Sequence, residues 1–408
     1  MRKYDIVLYG ATGFTGKRAV AYFQEHATKE LKWAIAARNA DKLTELKKEL
    51  DLEVAVIIAE ATNSEDIEAL VSQTKVVLST AGPYDLYGSE LVKHCAKQGV
   101  HYVDITGEAP WVNQMIKEHG ATAKQTGARI ISFCGFDSIP ADLGVWKLQQ
   151  FFREEWQKEV STAEGYYVLS GGGLNGGTLL SALNMMEKGQ TDQMTNDALL
   201  LSDLEQRNFI VKQNESFKNR YSKEVNKWVY PFVMGEINTK VVYRSIGLQL
   251  EQNPNLLPHF SYDEYHAIGG RFPSIMAAYG MATFNVLSKS RSMRKFLKLI
   301  GPKTNQGPTE EQIEEGFFRL KVIGQDADKQ HKAMMTMQFH GDAGNKATVM
   351  FLCECAFMLA EETAKPALQK ELAAGFLTPS IAFGNRLYER LQARGLQIDC
   401  KVIKEERK

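Results

Sequence analysis

The sequence predicts a two-domain α/β protein, with a doubly wound parallel sheet in the N-terminal domain and a mixed sheet in the second. Three observations predict it: a length of 408 residues, short apolar strands that alternate with helices up to about residue 150, and longer strands with polar alternation after that point. A chain of this length exceeds one ordinary domain and suits two. We predict domains over 1–150 and 151–345, with 346–408 packing back on the first.

Six apolar, β-branched segments of the first domain are predicted strands: DIVLY, LKWAIAA, VAVIIA, KVVLST, HYVDIT and ARIISFC. Five helical patterns lie between them, at Lys17–Glu25, Asp41–Leu50, Ser64–Gln73, Gly88–Gln98 and Pro110–Thr126. Short strands that alternate with helices of this length form βαβ units, which build a parallel sheet covered on both faces.

Four longer segments of the second domain are predicted strands: VSTAEGYYVLS, VVYRSIGLQL, FFRLKVIGQD and KAMMTMQFHGD. Their polar alternation is typical of an antiparallel or mixed sheet. Helices are predicted at 177–190, 273–287, 346–361 and 383–396, and 301–316 is predicted as an exposed loop followed by an acidic turn.

The charge balance excludes some classes of partner. Lys+Arg and Asp+Glu number 49 each, so no overall field attracts nucleic acid or an anionic surface. Five cysteines without metal-ligand spacing predict buried free thiols in a reducing compartment, and we expect no metal site. The charged start leads directly into a strand, which predicts no signal peptide and a cytoplasmic protein.

The run Phe272–Ser288 contains no charged residue. It is short of the ~20 apolar residues that cross a membrane, so we predict a buried helix. The following segment has five cations interleaved with apolar residues: Lys289, Arg291, Arg294, Lys295 and Lys298. A basic amphipathic helix of this kind rests on membrane surfaces, so the alternative is peripheral membrane contact through 272–300.

The segment YGATGFTGK joins the first strand to the first helix through three glycines, Gly10, Gly13 and Gly16. In the Rossmann fold the first glycine allows the tight turn, the second the close approach of a pyrophosphate, and the third close helix packing. Free N–H groups at the helix start then bind the phosphates. The predicted cofactor-binding loop comprises Gly10, Ala11, Thr12, Gly13, Phe14, Thr15 and Gly16.

The second strand ends in Arg38 and Asn39, where proteins specific for NAD carry an acid that binds the ribose 2′-hydroxyl. A guanidinium at this point suits a bidentate contact with a 2′-phosphate. We therefore predict NADP(H) in preference to NAD(H), with Arg38 and Asn39 in the site. The structural alternative is that Arg38 is a solvated loop cation.

The other strand ends supply further candidates, because ligands of doubly wound sheets gather there. After the fourth strand, Ala81, Gly82 and Pro83 bring the backbone close to a ribose or nicotinamide ring. The predicted proton-handling or orienting residues are Tyr84, Tyr87, Asp104 and Glu108. A structural role, as an acceptor for loop N–H groups, is the alternative for Asp104.

Two more segments have open interpretations. Asp137 and Ser138 precede Pro140, and we favour a helix cap over catalysis. Gly176, Gly177 and Thr178 either present N–H groups to a substrate carboxylate, carbonyl or thioester, or form a hinge or close-packing turn.

Several catalytic motifs are missing from the sequence. No tyrosine is followed four residues later by lysine, which excludes the usual short-chain reductase mechanism. HExxH, GxSxG and Walker-type motifs are also missing. These absences are compatible with a hydride-transfer enzyme, in which the cofactor supplies the reactive group and the protein orients the reactants.

The chain resembles the saccharopine dehydrogenase-like oxidoreductases, and most closely the branch with the trans-acting enoyl reductases and the lipid-droplet-associated vertebrate members. The matching segments include YGATGFTGK, AARN, STAGPYDLYGSELVKHCAKQGVHYVDITGE, CGFDSIPADLG, GGT, GPTEEQIEEG and TPSIAFGNRL. The resemblance implies a Rossmann domain, a second α/β domain often used for dimer contacts, and a terminal segment that returns to the first. It places Gly10, Gly13, Gly16 and Arg38 on the cofactor motif and transfers no catalytic role.

The resemblance and the residues together predict an NADP(H)-dependent oxidoreductase that transfers a hydride to a C=C or C=O bond of an acyl or lipid-like substrate. A saccharopine-type amino-acid dehydrogenase is one alternative, although the segment ITGE after Val103-Asp104 departs from true saccharopine dehydrogenases and argues against saccharopine as the substrate. A cofactor-binding protein without turnover at a lipid or membrane surface is the other. The expected partners are a small-molecule substrate and a second copy of the chain, and no nucleic acid.

Overall fold

The fold was determined from a computed structural model, which describes residues 2–173, 175–202, 219–253, 259–288, 290–303, 306–364 and 373–404. Within these residues the chain forms two seven-stranded sheets.

The first sheet has the order β13-β6-β5-β4-β1-β2-β3, and its strands are all parallel. The strands are β1 Tyr4–Tyr9, β2 Trp33–Ala37, β3 Ala55–Ile58, β4 Thr74–Ser79, β5 His101–Asp104, β6 Arg129–Ile131 and β13 Gly375–Leu377. The six predicted strands of this domain are confirmed. The strand order reverses between β1 and β4, which places a ligand crevice at their carboxyl ends.

Helices cover both faces of this sheet, and each of the five predicted patterns forms a helix. The helices of this half are α1 Phe14–His26, α2 Ala40–Glu49, α3 Ser64–Ser72, α4 Tyr84–Tyr87, α5 Ser89–Gln98 and α6 Ala109–Thr126, and the next helix, α7 Ile139–Trp156, packs on the second sheet. Asn39 and Asn63 cap α2 and α3 by accepting N–H groups of the first turns, and Gly99 ends α5 in the left-handed conformation.

The second sheet is mixed, with the order β14-β12-β11-β7-β10-β9-β8. Its strands are β7 Thr162–Ser170, β8 Arg220–Ser222, β9 Lys227–Pro231, β10 Ser261–Ile268, β11 Phe317–Gln325, β12 Lys332–His340 and β14 Gln397–Val402. The β7–β10 pair is parallel and the other pairs are antiparallel. The predicted second α/β domain with a mixed sheet is confirmed.

One predicted strand of this domain is wrong. The segment VVYRSIGLQL belongs to the helix α10, Gly235–Gln252, which is buried on nearly every side. Ile246, Leu248 and Leu250 alternate like a strand, and a helix buried all round has no polar stripe to reveal its period of 3.6.

The other helices of the second half are α8 Gly176–Glu187, α9 Gln190–Asn196, α11 Arg271–Ser288, α12 Arg291–Ile300, α13 Glu310–Glu314 and α14 Thr348–Thr363, followed by short helices at Pro379–Phe383 and Asn385–Ala393. The prediction that 272–288 is buried is wrong, because Phe272, Met276 and Tyr279 are exposed. In the described part of the chain, no helix has the length and apolar character needed to span a bilayer.

The C-terminal segment contributes to both halves of the molecule. The apolar helix α14 packs on β1, β4, β5 and α1, and β14 forms the edge of the second sheet. Glu354 of α14 accepts hydrogen bonds from Tyr22 of α1 and from Arg394, each at 2.7 Å. One apolar core extends from Ile6 and Leu78 to Phe318 and Met335, so the two sheets share it. The residue limits of the domains stay a prediction.

Candidate functional site

The glycine loop is held tightly between β1 and β4. Gly10 has φ +87°, and a Cβ there would lie 2.8 Å from Thr80 Oγ1. A Cβ on Gly16 would lie 2.1 Å from the carbonyl oxygen of Gly10. The loop conformation therefore requires glycine at both positions, as a turn built for close backbone approach does.

A cavity of about 170 Å³ follows this loop along the carboxyl ends of β1, β2 and β4. Eight of the predicted cofactor-binding residues line it: Gly10, Thr12, Gly13, Phe14, Thr15, Arg38, Ala81 and Gly82. The other four support its walls: Ala11 is buried and donates its N–H to Ala36 O, Gly16 packs against the loop, Asn39 caps α2, and Pro83 precedes α4. The glycine cradle, the start of α1 and Arg38 fit a phosphorylated dinucleotide.

Arg38 is exposed at one end of this cavity, and its guanidinium carbon lies 6.0 Å from the ring centroid of Tyr87. Tyr87 thus lies beside the predicted phosphate-reading residue. Glu60, which follows β3, lines the same end, and sequence reasoning missed it because it lies beyond the next strand. A carboxylate here requires Arg38 to supply the positive potential for a 2′-phosphate.

Glu108 fixes the loop after β4. Its fully buried carboxylate accepts the N–H groups of Tyr84 and Asp85, each at 2.9 Å. Burial raises the pKa of Glu108, and these N–H groups oppose the rise. Both Glu108 and Tyr84 line the larger cavity described below.

Tyr84 and Asp104 are committed to bonds inside the protein. Tyr84 donates its hydroxyl to Ser79 O at 3.1 Å, and burial raises its pKa well above the usual value. Asp104 accepts from Thr106 N and Ser132 Oγ, each at 3.1 Å, and burial raises its pKa to about 7. These contacts favour the structural alternative for Asp104, while the proton-handling role of the four predicted residues stays a prediction.

A second cavity of about 760 Å³ opens from the first, between the two sheets. Thr15, Thr80, Gly82, Asn175 and Gly177 line both cavities, so a ligand on the glycine loop has direct access to the larger one. The walls of this larger cavity are mostly apolar and include residues of α8, α10 and α11. A volume of this size suits a substrate with a sizeable apolar part.

The GGT segment begins α8 at the junction of the two cavities. Gly176 donates its N–H to Gln306 O at 2.9 Å, and Thr178 donates its own to the capping Asn175 at 3.0 Å. Two of the three N–H groups considered for substrate binding are therefore used within the protein, and Gly177 lines both cavities.

Asp137 is the carboxylate that sequence reasoning undervalued. Ser138 is the N-cap residue of α7, as predicted, but its side chain makes no capping bond and donates instead to Asn238 Oδ1 at 3.4 Å. Asp137 lines the larger cavity, and burial raises its pKa to about 6. A carboxyl with a raised pKa at the end of β6, the strand beside β5, is placed to handle a proton.

Across the cavity, Glu264 forms a buried polar cluster. It accepts from Tyr262 at 2.7 Å, from Tyr167 at 3.2 Å and from Asn238 at 2.7 Å, and burial raises its pKa to about 7. Lys240 lines the same cavity and donates to Met194 O at 2.5 Å and Glu236 O at 2.8 Å. Burial lowers the pKa of Lys240 to about 8.

Comparison with known proteins identifies the family. Residues 6–131 match the model of the saccharopine dehydrogenase NADP binding domain. A putative trans-acting enoyl reductase of Mycobacterium tuberculosis is 30% identical over 416 residues, which cover 97% of each chain. A trans-acting enoyl reductase of Mycobacterium ulcerans is 29% identical over 422 residues, covering 98% of each.

The chain belongs to the saccharopine dehydrogenase-like family that includes the trans-acting enoyl reductases. Its N-terminal domain is an NADP-binding domain, and the protein is an oxidoreductase. The predicted resemblance is confirmed.

Two solved structures share the fold of this family member. The Saccharomyces cerevisiae saccharopine dehydrogenase (L-Glu forming) has a TM-score of 0.57 at 12% identity, over 98% of this chain and 100% of its own. The Legionella pneumophila homospermidine synthase, in complex with NAD, has a TM-score of 0.58 at 9% identity, over 100% of this chain and 94% of its own. At these identities the likeness concerns the fold.

Proposed function

We propose that this protein is an NADPH-dependent reductase of a C=C bond conjugated to the carbonyl of an acyl or lipid-like substrate. One observation carries the proposal: the glycine-loop cavity opens directly into the apolar cavity of about 760 Å³ through five shared residues. The loop residues would hold the cofactor at the junction, and the larger cavity would take the apolar chain of the substrate.

The residues of the cleft have separate tasks. The backbone from Gly10 to Thr15 binds the pyrophosphate, and Arg38 binds the 2′-phosphate, which gives the preference for NADP(H) over NAD(H). Thr80 and Gly82 line both cavities and would form the wall beside a bound nicotinamide. Glu108 holds this wall in place through its bonds to the N–H groups of Tyr84 and Asp85.

Bound NADPH supplies the hydride for one carbon of the double bond. The other carbon needs a proton, and Asp137 holds one at its carboxyl group on the cavity wall. Because its pKa is raised to about 6, Asp137 is protonated in a far larger fraction of molecules near neutral pH than an exposed aspartate. Water returns the proton to Asp137 after each turnover.

The charge of the cavity disfavours the saccharopine-type alternative. Among the described lining residues, five carboxyl groups face a single cation, Lys240, whose ammonium group is already bonded to two backbone carbonyls. A substrate with several carboxylates would lack basic partners there. An acyl chain has no such conflict.

The test replaces Asp137 by Asn and measures NADPH oxidation with enoyl thioesters across pH. We expect kcat to fall by about 10²–10⁴-fold, the usual contribution of a general acid, with NADPH affinity unchanged. In the unmodified protein kcat/KM should decrease as pH rises through about 6, because the acid form is lost, and the variant should lack this decrease.

Asp263→Asn is the matched control, since this acid lines the same cavity. We expect its rate to stay within about threefold of the unmodified protein and its pH profile to be kept. An equal loss of kcat in both variants would show that the overall electrostatic field of the cavity sets the rate, and not a proton on Asp137.

A further inference from the structure

The helices α11 and α12 expose an unusual amount of apolar surface. Phe272, Tyr279 and Val286 on α11 are 72%, 71% and 71% exposed, and Leu299 on α12 is 82% exposed. Single exposed apolar side chains are ordinary on a soluble protein, but so many on two consecutive helices indicate an interaction surface.

On α11 these side chains form one stripe. Phe272, Met276, Tyr279 and Val286 are separated by four, three and seven residues, so they share one face of the helix. No charged residue occurs between Phe272 and Ser288.

On α12 the apolar and cationic residues lie on opposite faces. Phe296 and Ile300 share a side and are 52% and 62% exposed, and α12 contains no buried residue. By the same spacing, four cations occupy the other side: Arg291, Arg294, Lys295 and Lys298. Lys298 Nζ lies 3.5 Å from Glu187 Oε2 of α8. The fifth predicted cation, Lys289, lies outside the described residues.

The charge of the whole segment has one sign. Seven lysines and arginines occur from Arg271 to Lys303, while no aspartate or glutamate occurs between Glu264 and Glu310. The protein as a whole is neutral, so this concentration of cations beside apolar side chains is local. A helix with one apolar and one basic face suits a surface of anionic lipid, because the apolar side chains insert while the long cationic side chains reach the headgroups.

Part of α11 also lines the larger cavity. Gly280, Met281 and Phe284 line that cavity, and helical spacing places Gly280 next to the exposed stripe of Met276 and Tyr279. The exposed apolar surface and the cavity thus meet along a single helix.

We propose that α11 and α12 dock on an anionic lipid surface and that acyl substrate passes from this surface into the cavity beside α11. The lipid contact is inferred only from the exposed apolar side chains and the cations of these two helices. The passage of substrate rests on the proposed function, because it assumes that the cavity holds an acyl chain.

Docking is tested by co-sedimentation of the full chain with phosphatidylcholine vesicles, with and without phosphatidylglycerol. We expect binding to the anionic vesicles that weakens at high salt. The double variant Phe296→Glu, Ile300→Glu should lower the partition coefficient by about tenfold or more, because two anions replace inserted apolar groups. Val286→Glu tests the α11 stripe in the same way.

Ile58→Glu is the matched control, since Ile58 is 59% exposed on β3, far along the chain from α11 and α12. Its vesicle binding should be unchanged. Equal binding by the double variant and the unmodified protein would overturn the proposal. So would a dimer in sedimentation velocity that the double variant dissociates, together with no vesicle binding, because a second copy would then cover this surface.

Substrate passage has a separate readout. The double variant should reduce a long-chain enoyl substrate embedded in anionic vesicles about tenfold more slowly, while a short, water-soluble enoyl thioester is reduced at the unmodified rate. Equal rates on the embedded substrate would overturn the passage. If the protein binds vesicles and NADPH but reduces neither substrate, the docking stands and the proposed function fails.

Discussion

At the scale of single residues, the proposed function assigns to Arg38 the choice between the two dinucleotides. It lies exposed at the end of β2, and Glu60 lines the same end of the cavity. A 2′-phosphate next to Glu60 gains nothing unless the guanidinium compensates the carboxylate. The proposed preference for NADP(H) therefore depends on one side chain.

Replacing Arg38 by Ala should weaken NADPH binding by about 10–100-fold while NADH binding changes little, because a charge-assisted contact contributes ~1.5–3 kcal/mol. Quenching of tryptophan fluorescence measures both affinities. Lys42→Ala is the control, since Lys42 is an exposed cation on α2 that does not line the cavity. An unchanged ratio of the two affinities in Arg38→Ala would refute the role of this residue.

The sequence allowed Arg38 and the glycines to be predicted, because each is fixed by its position after a strand. Glu60 and Asp137 could not be predicted in the same way. Glu60 reaches the cavity only because β3 pairs with β2, and Asp137 stands in a pattern that usually caps a helix. Their roles depend on which walls meet in the folded chain.

At the scale of elements, the junction of β1 and α1 depends on close packing within the loop. The Cβ of an alanine at Gly16 would lie 2.1 Å from the Gly10 carbonyl oxygen, far closer than a carbon and an oxygen can approach. The start of α1 would have to move away from the loop, and the backbone N–H groups would lose their alignment on the phosphates.

Gly16→Ala should therefore weaken NADPH binding by about tenfold or more and destabilise the protein by ~1–3 kcal/mol, as overpacking does. Calorimetry and thermal unfolding measure the two effects. Gly120→Ala is the control: Gly120 lies inside α6, and its Cβ would find its nearest neighbour at 4.0 Å. That variant should bind NADPH normally and be up to ~1 kcal/mol more stable. Normal NADPH binding by Gly16→Ala would contradict the phosphate-binding role of this turn.

The first sheet was predictable from sequence because its strands are short, apolar and separated by amphipathic helices. The two wrong predictions of the second half have one physical cause. Local pattern does not reveal what a helix packs against, so α10, buried all round, resembled a strand, while the apolar α11 was expected inside and lies largely outside.

At the scale of the whole molecule, the site exists because two sheets meet. The shared core and the helix α14 join the sheets, and the larger cavity lies between the cofactor crevice of one and the polar cluster of Glu264 on the other. Neither domain alone encloses a space for a substrate. Sequence motifs identified the cofactor half, whereas the cavity is a property of the assembled fold.

The most direct measurement is the transfer of deuterium from NADPH labelled at C4 of the nicotinamide to a medium-chain enoyl thioester, read by mass spectrometry of the product. The proposed function predicts one deuterium per product molecule, on a carbon of the former double bond. Firm NADPH binding without transfer to any enoyl or keto acyl substrate would contradict it.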